Sequence, residues 1–162
     1  MNRVLVGMLF SLAVATAPAA QMKYGVTATS DKNVDFTKFK SYSWSVGQPN
    51  PTKSINAQII AAVDRELKAL GLTKAEPGPG DVLVSYYAFR RTDVGMKPKS
   101  DTGAPAQTAV GTLSVVMLDP KSKKELLRMR LDKPIDTDPA QAEAVINTAV
   151  TELFEKYPTR KN

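Results

Sequence analysis

The stretch INAQIIAAVDRELKALGL, residues 55–72, carries the clearest periodic pattern in the chain. Its apolar side chains recur every three or four residues, which is the spacing of one face of an α-helix. These side chains are Ile55, Ile59, Val63, Leu67 and Leu70. Gly71 then stands where a glycine often ends a helix, with Leu72 behind it. The stretch therefore predicts an amphipathic helix that packs on a hydrophobic layer.

Strands are predicted on the C-terminal side of this helix. The segment VLVSYYAF, residues 82–89, is apolar on both faces, as expected of an interior strand. The segments VGTLSVVML (110–118) and LLRMRL (126–131) flank the turn DPKSKKE and predict a hairpin. In the returning strand apolar residues alternate with arginines, so one face is predicted to be solvated.

A second helix is predicted at the C-terminal end. Asp138 is a suitable N-cap, Pro139 suits the first helical position, and Gln141 completes a capping box. Two strands, in MKYGVTATSD and KSYSW, precede the first helix, which gives the order β-β-α-β-β-β-α. This order predicts an α+β domain: a mixed, mostly antiparallel sheet of about five strands with two helices packed on one face.

Four aromatic residues lie close together in VDFTKFKSYSW, residues 34–44: Phe36, Phe39, Tyr42 and Trp44. One interpretation is an exposed platform for stacking against bases or sugars. The other is core packing, with the two Phe sharing one face of a helical turn and the other two one face of a strand. Core packing is favoured, because large aromatic side chains contribute most of their stability by burial.

The N-terminal segment has the three parts of a secretory signal peptide. A positive start at Arg3 leads to an apolar run from Val4 to about Ala15, and small residues follow. We expect cleavage near Ala19 or Ala20, a single domain over residues 20–162, and a periplasmic or secreted protein. An uncleaved membrane anchor is the alternative, although the apolar run is shorter than the roughly 20 residues that span a bilayer.

Composition excludes several kinds of catalytic and metal site. The 162 residues include no His and no Cys. Ser-His-Asp and Cys-His catalytic groups, His-ligated zinc or haem and disulfides are therefore impossible. Asp132, Asp136 and Asp138 faintly suggest a calcium loop, but the Gly and the distal Glu of that loop are missing. We expect no catalytic residues, no cofactor and no metal.

Basic residues, in a chain of net charge +6, form the one candidate interaction surface. The segment from Arg90 to about Ala109 shows no periodicity and is predicted to be a long loop, either a mobile excursion or a binding loop. The turn and the returning strand concentrate further positive charge, either for an anionic surface or simply for solvation. The candidate residues are Arg90, Arg91, Lys121, Lys123, Lys124, Arg128 and Arg130.

Several segments in this order resemble a family of bacterial envelope proteins known as domain of unknown function 4136 (DUF4136). They are DFTKFKSYSW, INAQIIAAVDRELKALGL, DVLVSYYAF, GTLSVVMLDPKSKKELL and EAVINTAVTELFEKYP, and the resemblance extends from about Tyr24 to Pro158. It implies an exported α+β domain, typically lipoprotein-like, with no assigned biochemistry. This chain lacks the Cys of a lipobox, and ELLRMRL has no Trp where relatives often carry one.

Three function classes remain open. The first is a non-enzymatic envelope accessory or binding domain, whose partner is an envelope protein or an anionic envelope component. The second is a peripheral protein that binds anionic lipid or polymer through the basic hairpin. The third is a hydrolase that uses carboxylates alone, which is disfavoured because no two acids obviously converge. Nucleic acid is not expected as a partner, nor is a transmembrane anchor after cleavage.

Overall fold

The computed structural model describes residues 24–76, 78–98, 105–135 and 139–160. The predicted signal peptide and the predicted cap Asp138 lie outside these residues. The strands are β1 (Gly25–Ser30), β2 (Ser41–Trp44), β3 (Thr73–Lys74), β4 (Val82–Pro98), β5 (Pro105–Leu118) and β6 (Glu125–Pro134). The helices are α1 (Lys53–Ala69) and α2 (Ala142–Phe154), with 3₁₀ turns at Phe36–Lys38 and Pro139–Gln141.

The strands form one six-stranded sheet in the order β1-β6-β5-β4-β2-β3. The pairs β1–β6, β6–β5 and β5–β4 are antiparallel, and the pairs β4–β2 and β2–β3 are parallel. The fold is therefore α+β with a mixed sheet, as predicted. The additional strand is β3, which consists of only two residues and is too short to produce a pattern in the sequence.

Helix α1 ends as its sequence predicts. Gly71 adopts a φ of +85°, in the left-handed region that favours glycine. Its backbone N–H donates to the carbonyl of Lys68 at 2.9 Å, and the N–H of Leu72 donates to that of Leu67 at 3.0 Å. These two bonds make a Schellman motif, which turns the chain sharply and buries Leu72 against the helix that precedes it.

The core lies between the two helices and one face of the sheet. Fully burying a large aliphatic or aromatic side chain contributes about 1.5 to 3 kcal/mol, so this layer supplies most of the driving force for folding. Its buried helical members are Ile59, Ala62, Val63, Leu67, Val150, Leu153 and Phe154. Its buried strand members include Tyr42, Val82, Val84, Tyr86, Val115, Met117, Leu127, Met129 and Leu131.

A buried polar contact joins the helices within this layer. The carboxylate of Glu66 on α1 accepts a hydrogen bond from the Thr151 hydroxyl of α2 at 2.8 Å. It also accepts one from the Arg160 guanidinium at 2.8 Å, close to the C-terminal end of the described chain. The otherwise costly burial of Glu66 is thus compensated by a hydrogen bond and an ion pair.

The prediction of a long loop between Arg90 and about Ala109 is wrong. Strand β4 continues to Pro98 and β5 begins at Pro105, and the two pair from Leu83↔Leu118 to Pro98↔Pro105 with one irregularity after Val94. Strand β6 ends opposite Val110. Residues 90–98 and 105–109 therefore form a two-stranded extension of the sheet, which we call the arm.

Candidate binding surface

The sheet has one face on which no described helix packs, and we call it the open face. Because side chains alternate along a strand, its members are the residues between those that face the helices. They are Ser85, Tyr87, Phe89 and Arg91 on β4, Thr112, Ser114 and Val116 on β5, and Arg128, Arg130 and Asp132 on β6.

The open face has small side chains at its centre and long side chains beside them. Ser85, Ser114 and Val116 are buried at its centre. Arg128 lies opposite Val116 and Arg130 opposite Ser114, so the long guanidinium side chains flank the small residues. The stems of such side chains cover apolar surface while their charged ends remain in water. The open face therefore carries guanidinium groups at its outer level.

A hydrogen-bonded network of charged groups lies at the end of the open face nearest the arm. Arg91 donates through Nε to Asp93 at 2.8 Å and through Nη1 to Asp132 and to the Thr112 hydroxyl. Arg130 donates to both oxygens of Asp132, at 2.7 and 3.0 Å. Two guanidinium groups from different strands thus converge on one carboxylate, and this arrangement fixes their orientation.

The carboxylates of this network lie below the guanidinium groups. The side chains of Asp93 and Asp132 are 7% and 14% exposed, whereas those of Arg91 and Arg130 are 38% and 48% exposed. Hydrogen bonds from Arg130, and further ones from Thr112 and Arg91, hold the pKa of Asp132 well below its usual range. Asp132 therefore stays ionised, and the more exposed guanidinium groups of the network lie outward of the carboxylates.

The other basic residues of the candidate surface lie elsewhere. Arg128 is on the open face and pairs with Glu125. Lys121, Lys123 and Lys124 lie at the β5–β6 turn, where Asp119 accepts hydrogen bonds from the backbone N–H groups of Lys121 and Ser122.

The seven predicted residues therefore do not form one patch. Lys124 pairs with Asp31 at 2.6 Å, while no salt bridge among the described residues involves Lys121 or Lys123. Arg90 faces the helix side of the arm, because its neighbour Arg91 faces the open side. The structure thus brings Arg91, Arg128 and Arg130 together on the open face and leaves the remaining four in two other places.

The non-basic members of this surface were not predicted from the sequence. Tyr87 and Phe89 precede the arginines on β4 at the two-residue spacing of one strand face. Thr112 and Asp132 occupy equivalent positions on β5 and β6. The alternation in LLRMRLD could have placed Asp132 beside the arginines, whereas its pairing with Arg91 depends on a strand register that the sequence does not reveal.

The aromatic stretch is mainly core, as predicted. Phe36 and Tyr42 are buried, and Phe39 and Trp44 are partly buried against the core. The Tyr42 hydroxyl and the Trp44 indole N–H both donate to Asp64 of α1, at 2.7 and 2.9 Å. The stretch therefore anchors β2 to the first helix.

A shallow groove of about 240 Å³ lies beside Trp44. Asn56, Ile60 and Tyr86 line it, together with the loop that follows β2. The Tyr86 hydroxyl donates to the Asn56 side chain and accepts from the Asn50 backbone N–H. The polar groups of the groove therefore already satisfy one another.

Among residues 24–76, 78–98, 105–135 and 139–160, no group of three carboxylates lies close enough to hold a metal ion. Of the three residues considered for calcium, Asp132 is bound by arginines, and Asp136 and Asp138 lie outside the described residues. No described helix has the length and hydropathy needed to cross a membrane.

Comparison with solved structures gives one superposition that supports the fold and two weaker matches. A PDZ domain protein from Parabacteroides distasonis superposes with a TM-score of 0.61 at 15% identity, covering 86% of this chain and 36% of that one. Two PelC dodecamers from Paraburkholderia phytofirmans have TM-scores of 0.46 and 0.47 at 14% and 12% identity. They match 81% of this chain and 97% and 98% of theirs.

The chain thus spans about a third of the length of the first of these structures, and at this identity the likeness concerns the fold alone. No curated protein matches the chain. A family model described as "Domain of unknown function (DUF4136)" matches residues 26–159, which is most of the chain. The chain therefore belongs to the DUF4136 family.

Proposed function

We propose that this protein is an exported, non-enzymatic binding domain of the bacterial envelope, and that its open face binds a partner with several carboxylate or phosphate groups. One observation carries the proposal. The sheet face without helices holds three guanidinium groups at its outer level, two of them oriented by carboxylates that lie below them. The N-terminal signal pattern supports the export part of the proposal.

The spacing of the arginines suits an extended anionic partner. Arg128 and Arg130 are two residues apart on one strand, so their Cα atoms lie about 7 Å apart on the same face. Guanidinium groups bind carboxylate and phosphate oxygens through paired hydrogen bonds. Tyr87 and the 47%-exposed Phe89 lie on the same face and add apolar contact area beside the charges.

The carboxylates on this face support a binding role rather than an acid–base one. A general acid needs a carboxyl group whose pKa is raised towards neutrality. Arg130 instead lowers the pKa of Asp132, so this group is ionised throughout the physiological range. Asp132 is therefore suited to orienting arginines and not to delivering a proton.

The test uses two model polyanions and two charge-matched variants. Polygalacturonate supplies carboxylates, and vesicles containing phosphatidylglycerol supply phosphates. Arg128→Gln removes an open-face cation whose ion-pair partner, Glu125, is itself partly exposed. Lys123→Gln removes an equal charge at the β5–β6 turn. We expect Arg128→Gln to weaken binding of at least one polyanion by about tenfold, the loss of one charge-assisted hydrogen bond, with little effect of Lys123→Gln.

The two polyanions separate the two sources of negative charge. Binding should weaken as salt rises, because the open-face cations are exposed to screening. If neither polyanion binds, or if both variants bind like the wild type, the open face is not the contact surface.

A second candidate function places the contact at the β5–β6 turn. Lys121 and Lys123 are exposed there, and neither takes part in a described salt bridge. Such groups suit an anionic lipid surface, where each adds about 1 kcal/mol of attraction. Selective loss of vesicle binding in Lys123→Gln would favour this candidate over the open face.

A further inference from the structure

Among the described residues, strand β4 has a hydrogen-bonded neighbour on its outer side for less than half of its length. Ser45 N–H donates to the Val84 carbonyl at 2.7 Å, and Gln48 N–H donates to that of Tyr86 at 2.9 Å. The last such bond runs from Ala88 N–H to the Gln48 carbonyl, at 3.2 Å. Beyond Ala88, no described residue forms a backbone hydrogen bond to this side of the strand.

The free backbone groups can be assigned from this pattern. The three outward bonds all involve even-numbered residues of β4, and the direction of backbone groups alternates along a strand. Arg90, Thr92 and Val94 therefore direct their N–H and C=O groups outward, while Arg91 and Asp93 bond to β5. Among the described residues the outer edge of the arm is thus unpaired, and an unpaired strand edge readily accepts another strand.

Two of the exposed large apolar residues flank this edge. Phe89 is 47% exposed on the open side, and Val94 is 49% exposed on the other side. An edge protected from association is usually lined by charge on both faces. Here an apolar group remains accessible on each face of the same short segment.

We propose that this edge pairs with the same edge of a second copy of the chain, antiparallel, around a two-fold axis at Thr92. In that register Thr92 of one copy lies opposite Thr92 of the other, and Arg90 lies opposite Val94. These positions are the hydrogen-bonded pairs of an antiparallel ladder, so they supply about six backbone hydrogen bonds between the copies.

Side chains on the open side match in the same register. Arg91 of each copy lies opposite Asp93 of the other, in the closely spaced type of pair. Opposite charges in such positions stabilise a strand pair. Asp93, which already accepts a hydrogen bond from Arg91 of its own chain, gains a second guanidinium neighbour.

The exposed apolar residues are covered as well. Phe89 lies opposite Gly95 of the second copy, where no side chain obstructs the ring. Val94 lies beneath the aliphatic stem of Arg90 from the second copy. On the face opposite to that of Arg91 and Asp93, the two Thr92 side chains lie next to each other, which is a favourable cross-strand pair.

The neighbouring two-fold register is unfavourable. Centring the axis on Arg91 places two Arg91 side chains directly opposite each other and moves Asp93 opposite Phe89. Like charges in that position destabilise a strand pair. The backbone groups do not fit this register either. Arg91, the central residue, directs its N–H and C=O groups towards β5 and not towards the second copy. The charges and the backbone therefore favour the Thr92 register.

In this arrangement the two arms lie side by side, and the remaining parts of the two copies lie at opposite ends of the paired arms. An interface made by one short strand from each copy falls below about 1,200 Å², in the range of weak and transient complexes. We therefore expect dimerisation that depends on protein concentration. Because a two-fold pair uses each edge once, the association closes at two copies.

Disulfide trapping tests the register, since the chain contains no Cys of its own. In Thr92→Cys, the two Cys lie in a directly opposed pair with Cα atoms about 5.5 Å apart, within the range that a disulfide spans. We expect mild oxidation to yield a covalent dimer. Thr27→Cys, on the exposed edge strand β1 at the other side of the sheet, is the control and should remain monomeric.

A mixing experiment tests the pairing of different positions. Arg90→Cys and Val94→Cys proteins, oxidised together, should form mainly the mixed dimer. Equal crosslinking of Thr92→Cys and Thr27→Cys would indicate random collision and overturn the proposal. Failure of Thr92→Cys to crosslink would overturn it too.

Sedimentation of the unmodified chain completes the test. The wild type should show a monomer–dimer equilibrium between about 10 µM and 1 mM, as expected of a small interface. Thr92→Pro removes an outward N–H that β5 does not use and should abolish the dimer without lowering the melting temperature. A wild type that stays monomeric throughout contradicts the inference. Arg128→Gln should dimerise normally, so this inference and the proposed function can fail independently.

Discussion

Tyr157 illustrates how much a single buried group contributes in this fold. Its ring stacks on Phe154 at 6.4 Å between centroids and meets Phe36 edge-on at 5.9 Å. Its hydroxyl is buried and has no hydrogen-bond partner among the described residues. Burial raises the pKa of Tyr157 to about 12. The ring stabilises the fold, while the hydroxyl imposes a cost.

Tyr157→Phe should raise the free energy of unfolding at neutral pH by about 1 kcal/mol, because it removes an unsatisfied buried hydroxyl. The wild type should also lose stability as pH rises from 10 to about 12, since the unfolded state ionises first. The loss attributable to this group is about 2 to 3 kcal/mol.

Urea denaturation of both proteins at pH 7 and pH 11.5 measures both effects. The difference between the two proteins isolates Tyr157 from Tyr42, whose pKa burial also raises. A variant that is less stable than the wild type at neutral pH would show that the hydroxyl has a favourable contact.

The residue pairings in the candidate site could not be predicted from the sequence. Arg91 and Asp132 are 41 positions apart in the sequence. They meet because β5 lies between their strands and pairs with β4 on one side and with β6 on the other. A shift of one residue in either register would send one of the two side chains to the opposite face. The arginines were predicted as a group, but their carboxylate partners were not.

Among the elements, the arm shows why a real strand can lack a pattern. Alternation of apolar and polar residues appears where one face of a strand is buried. Most of the arm extends past the end of β6, where no helix packs on it among the described residues, and its buried position Asp93 is polar and bonds to Arg91 and Tyr24. Its sequence RRTDVGMKP therefore shows no apolar alternation. The helices and the inner strands were predictable because burial imposes their periods.

Shortening the arm should have little effect on stability. Replacing residues 94–107 with Asn-Gly leaves the inward-bonded pair Asp93↔Thr108 closed by a two-residue turn, a favoured hairpin geometry. The removed residues pair only with each other among the described residues, so the melting temperature should change by less than about 3 °C.

Asp132→Ala is the comparison for the shortened arm. It leaves Arg91 and Arg130 without their shared carboxylate and should lower the melting temperature further. Calorimetry measures both proteins. A larger loss in the shortened variant than in Asp132→Ala would mean that the arm packs on the body.

At the level of the whole molecule, two helices and one sheet face share a single core. Leu67 is fully buried in α1, between the sheet and α2. Fold class and the placement of both helices on one face followed from the sequence, because each helix has one apolar stripe and has to bury it. The strand order did not, since it depends on contacts distant in the chain.

Leu67→Asp should prevent folding, because it places an unpaired charge in the core. Ala61→Asp, on the exposed side of the same helix, should cost only about 0.7 kcal/mol of helix propensity. Circular dichroism during thermal unfolding compares the two proteins. Cooperative melting of Leu67→Asp near the wild-type temperature would show that the helix face is misassigned.

The position of β1 in the sheet determines when the fold can be completed. Among the described strands β1 pairs only with β6, about 100 residues later in the chain, and loop closure over such a distance slows folding. During synthesis from the N-terminus, β1 has no partner until β6 has been made. A nascent chain with this topology therefore carries β1 unpaired until β6 has been made, so the sheet is completed only late in synthesis.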